Sequence, residues 1–82
     1  MQVTIKYFAS IREAIGQASE QRETATTTLA GLRDELLVIG PAYACLSRGR
    51  AVRMALGQVM SDESALLSPG CEVAFFPPVT GG

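Results

Sequence analysis

The chain has 82 residues, 48% of them hydrophobic and 18% charged, with a formal net charge of -1. That length makes one domain burying roughly 60 to 65% of its unfolded surface, and the composition lies outside the polar, highly charged regime of disorder. The charge balance excludes a global field for nucleic acid or an anionic membrane; the lack of histidine excludes the commonest general base and the usual zinc sets.

The opening Met1, Gln2, Val3, Thr4, Ile5, Lys6 lacks the basic region and apolar run of a signal peptide, and no apolar stretch approaches the ~20 residues of a membrane span. A cytoplasmic protein is expected. Cys45 and Cys71 are far apart and form no Cys-x-x-Cys pair, so they read as small buried thiols in a compartment that disfavours disulfides.

Residues 2–8 alternate, with Val3, Ile5 and Tyr7 on one face and Gln2, Thr4 and Lys6 on the other, which predicts a half-buried first strand. Ser10, Ile11, Arg12, Glu13 matches a capping box and predicts a short helix stopping at Gly16. The polar residues 18–23 fit only an edge strand pairing back on the first. Thr27 or Thr28 then caps a helix whose apolar stripe is Leu29, Leu32, Leu36 and Ile39, with Arg33, Asp34 and Glu35 away from it and Gly40 and Pro41 as its stop.

Residues 42–49 predict an irregular connection or a single helical turn with an exposed tip. Val52, Met54 and Leu56 alternate with Arg53 and Ala55 as a strand, Gly57 supplies the positive φ of a tight turn, and residues 58–60 return as a short partner. Pro69 and Gly70 turn the chain into residues 72–76, a β-prone run expected at the centre of the sheet, with Val73 and Phe75 on one face and Ala74 and Phe76 on the other. Parity leaves open which ring, Phe75 or Phe76, is exposed. Pro77 and Pro78 donate no N–H and end the ladder.

This order predicts an α+β fold, a mixed sheet of about five strands crossed by one main helix with a short helix after the first strand. A β-grasp (ubiquitin-like) arrangement accommodates it, with first and last strands adjacent and a right-handed crossover. The expected division is a domain over residues 1–76 and a flexible tail over 77–82.

Catalytic side chains are scarce: the carboxylates are scattered, and the one lysine, Lys6, belongs to the polar face of a strand. The group Arg48, Gly49, Arg50 and Arg53 reads as a solvated charged turn in preference to a phosphate site. The tail is the unusual feature. Two prolines, then Val79, Thr80, Gly81 and Gly82, make a narrow segment ending in a carboxylate, although a Gly-rich terminus is by itself an ordinary way for a chain to fray.

The run Phe75, Phe76, Pro77, Pro78, Val79, Thr80, Gly81, Gly82 resembles the terminal signature of the small subunits of molybdopterin synthase, a ubiquitin-like family of sulfur carriers. The stretch Ala9, Ser10, Ile11, Arg12, Glu13, Ala14, Ile15, Gly16 after the first strand is similar to the same family. A departure is Gly57 followed by Gln58, where members often carry Asn; Gly keeps the turn but loses any contact of that side chain.

The resemblance implies that the Gly82 carboxylate is adenylated and converted to a thiocarboxylate that gives sulfur to a cyclic pyranopterin monophosphate. It implies three partners: the large catalytic subunit of the synthase, a ubiquitin-activating-like adenylyltransferase that uses ATP, and a sulfur donor protein. Phe75, Phe76, Pro77, Pro78, Val79, Thr80 and Gly81 are the implied partner contacts. No bound cofactor or metal, nucleic acid or membrane is expected. Two related readings stay open: a thiamin-pathway sulfur carrier, and a ubiquitin-like modifier of protein lysines.

Overall fold

The computed structural model describes residues 1–78. Strands β1 (Gln2–Tyr7), β2 (Ser19–Glu23), β3 (Arg53–Leu56), β4 (Val59–Ser61) and β5 (Glu72–Phe76) form one sheet in the order β2-β1-β5-β3-β4. β1 and β5 are parallel neighbours and the other pairings are antiparallel, so the first and last strands occupy the centre of a mixed β-grasp sheet. Helix α1 (Ala9–Ile15), helix α2 (Leu29–Leu37) and a 3-10 helix (Pro41–Leu46) supply the other layer.

The alternation of β1 produces the core directly. Val3, Ile5 and Tyr7 pack with Val73, Phe75 and Met54 of the sheet and with Ile11, Leu29, Leu32, Leu36 and Leu46 of the helical layer. Nine of the largest of these side chains are under 2% exposed, so one apolar layer between sheet and helices accounts for the fold. Tyr7 and Phe75 stack at the end of β1 and β5, ring centroids 6.2 Å apart.

Several local expectations give way to the tertiary context. The Ser10–Glu13 capping box does not form: parallel pairing carries Phe8, still extended, one bond further, from its N–H to Phe75 O at 3.2 Å. Ala9 then turns sharply at φ 51, leaving Ser10 inside α1, where its hydroxyl cannot cap. The α1 stop at Gly16 (φ 90) is as predicted. Thr28 settles the choice of cap for α2, its Oγ1 accepting the Gly31 N–H at 3.1 Å.

The stripe of α2 stops at Leu36. The helix ends at Leu37, leaving Ile39 beyond it and 46% exposed, while Gly40 is extended and Pro41 opens the 3-10 helix. Arg33, expected away from the stripe, is 5% exposed. It lies four residues after Leu29 and three before Leu36, hence on their face, and its guanidinium donates to Leu46 O at 2.5 Å and Ser47 O at 3.1 Å. Val52 precedes β3, and Gln58 belongs to the turn: with Gly57 at φ 58 and Gln58 at φ 69, the β3–β4 hairpin closes through a type I′ pair.

Candidate functional site

β5 emerges from the centre of the sheet and hands the chain to Pro77 and Pro78, which are half-buried. Alternation along β5 separates its two rings. Phe75 is 0% exposed and belongs to the core, so its ring has no free surface to offer a partner; Phe76 is half-buried on the outer face, away from the helices. Val79, Thr80, Gly81 and Gly82 lie outside the described residues.

The register assembles a surface around Phe76. Ala74 stands opposite Ala55, Ala55 opposite Met60, and Arg53 opposite Phe76 itself. Phe8 follows the Tyr7–Phe75 pair and therefore stands level with Phe76. Met60 is 60% and Phe8 46% exposed, so large apolar side chains lie open on the sheet face beside the root of the tail. Lys6 and Glu72 flank the small central alanines and neutralise each other at 3.2 Å.

Phe8 and Met60 were not singled out in the sequence. The available signal was parity: Phe8 continues the outward series Thr4, Lys6 while being aromatic. Met60 carries no such signal, because its place beside Ala55 depends on how the hairpin turns. The group Arg48, Gly49, Arg50 and Arg53 divides: Arg48 is bound to Asp34 and Glu63, which satisfies its charge within the fold.

A polar cluster fixes the tail end of the sheet from the other side. One Glu20 carboxylate oxygen accepts hydrogen bonds from Tyr7 Oη, Tyr43 Oη and Gln17 Nε2, each at 2.8 Å. Burial, with the Glu20 carboxylate adding to it, pushes the Tyr7 phenol far above its ordinary value, and the same causes raise Tyr43. Both phenols stay protonated as donors, joining β1, β2 and the 3-10 helix. Burial likewise raises the Cys45 thiol, the opposite of what a nucleophilic thiolate requires.

Nothing among the described residues resembles a catalytic centre. A shallow hollow is lined by Gln2, Thr4, Gln21, Pro69 and Gly70, which supply no carboxylate, thiol or amine side chain. No group of three or more metal-ligating side chains is gathered among the described residues. Nor, among them, is any helix long and apolar enough to cross a membrane. What the geometry offers is an apolar patch on the open sheet face, beside the point where β5 passes into Pro77 and Pro78.

Comparison with known proteins fits that arrangement. The profile described as the ThiS family matches residues 5–82. The molybdopterin synthase sulfur carrier subunit of Haemophilus influenzae is 35% identical over 98% of this chain and 99% of its own length. The protein of that name in Escherichia coli is 30% identical over 98% and 99%. In fold, the crystal structure of SAMP1 from Haloferax volcanii superposes with a TM-score of 0.82 over the whole of both chains at 21% identity.

Proposed function

The chain belongs to the ThiS family, and from that premise we propose that it is the sulfur carrier subunit of a molybdopterin synthase, with the Gly82 carboxylate as the sulfur attachment point. The observation that carries this reading is the family match reaching residue 82, together with end-to-end similarity to relatives that bear that name.

The chemistry suits the residues. An α-carboxyl has a reference pKa of about 3.3 to 3.7, so the Gly82 carboxylate is anionic near pH 7 and needs no base of its own. Its oxygen attacks the α-phosphorus of ATP on the activating enzyme and pyrophosphate leaves. Sulfide-level sulfur delivered by a donor protein then attacks the acyl carbon and displaces AMP, giving the thiocarboxylate. In the large synthase subunit that sulfur passes to a cyclic pyranopterin monophosphate, and water restores the carboxylate. This chain binds no cofactor in the cycle; ATP is consumed by the activating enzyme, and the partners supply the catalytic groups.

Each part of the surface has a place in the cycle. Gly81 and Gly82 lack Cβ and suit a narrow channel. Pro77 and Pro78 restrict φ at the root of the tail, which lowers the entropy lost on threading. Val79 and Thr80 provide side-chain contacts within the groove. Phe76, Phe8 and Met60 provide the apolar anchors of the docked body, which corresponds to residues 1–76 with 77–82 as the inserted segment.

The test is deletion of Gly82. A chain ending at Gly81 should keep the wild-type circular dichroism spectrum and melting temperature but give no molybdopterin in a reconstituted system. Undiminished synthesis would refute the assignment.

A further inference from the structure

We infer that Arg53 is a specificity-determining residue of the docking face, and that the large synthase subunit presents a carboxylate to it when it receives the tail. This rests on the carrier reading above. Arg53 begins β3 and stands directly across from Phe76, the last sheet residue before the tail. It is exposed on the outer face, beside the apolar group of Phe76, Phe8 and Met60.

Of the other cations on the strands, Lys6 is neutralised by Glu72 and Arg22 by Glu35, while Arg12 and Arg50, which also have no ion pair among the described residues, belong to α1 and to the loop before β3. Among the described residues Arg53 has no carboxylate within ion-pair distance and no side-chain hydrogen bond. It thus leaves one uncompensated positive charge on the outer sheet face, at the edge of the anchors. Docking by those anchors must either cover this charge or meet it. A guanidinium desolvated without a partner is strongly unfavourable, whereas a facing carboxylate accepts its forked N–H pair and discriminates against surfaces without one. The matching patch on the occupant is therefore apolar at its centre with an acidic residue at its rim.

Association of the full chain with its large synthase subunit, followed by surface plasmon resonance at about 50 mM and about 500 mM NaCl, tests this. Arg53→Glu should bind about tenfold more slowly at low salt and lose most of the salt dependence of association, with Arg53→Lys restoring much of the rate. Unchanged melting temperatures are expected, since the side chain holds nothing within the fold. Normal, salt-sensitive association of Arg53→Glu would overturn the inference while leaving the carrier reading standing; absence of wild-type binding would remove both.

Discussion

Gln58 holds φ at 69 beside Gly57 at 58, so the β3–β4 turn asks a long, Cβ-bearing side chain to adopt a backbone region that favours glycine. Met60, an anchor of the proposed docking face, lies just beyond this turn. The sequence predicted the positive φ of Gly57 but placed Gln58 in the returning strand, because only the pairing of Leu56 with Val59 shows that both intervening residues form the turn. Gln58→Gly should raise the unfolding free energy by about 0.5 to 1 kcal/mol, read as a higher urea midpoint at unchanged slope. A lower midpoint would mean that the Gln58 side chain makes contributions the turn geometry does not reveal. Ala9, at φ 51, is the other non-glycine residue with positive φ among the described residues, and it too adjoins the docking face, next to Phe8.

At the level of elements, the join between β1, β2 and the 3-10 helix depends on two protonated phenols donating to Glu20. Their values are raised in the folded state, so this contribution is complete below the unfolded phenol pKa of about 10 and is lost as pH rises beyond it. Alkaline titration should therefore show phenolate absorbance appearing together with unfolding, and Glu20→Gln should let ionisation begin at lower pH. Ordinary phenol titration in a folded protein would contradict the geometry. None of this cluster was legible beforehand, since it joins residues from three separate segments. The elements themselves were legible wherever periodicity was strong, as in β1 and the Leu29, Leu32, Leu36 stripe. Reading failed at their ends: the capping box at Ser10 yielded to strand pairing by Phe8, and Arg33 looked solvated although its spacing from Leu29 places it on the buried face.

Across the whole molecule, the β-grasp order followed from the succession of patterns, because a central apolar β5 and a single crossover helix leave few ways to close one core. The proposed docking face was less visible. It gathers Phe8, Ala55, Met60, Ala74 and Phe76 from four strands or their ends, a combination that requires the register, and the same alternation withdraws Phe75 into the core. The fold does not distinguish a sulfur carrier from a modifier, given that a small archaeal modifier superposes over the entire chain. The distinction lies in the covalent fate of Gly82. The most direct measurement is the intact mass of the protein after incubation with ATP, its activating enzyme and a sulfur source. The carrier account predicts a gain of about 16 Da, one oxygen replaced by sulfur; an unchanged mass, or Gly82 joined to lysines of other proteins in place of that gain, would contradict it.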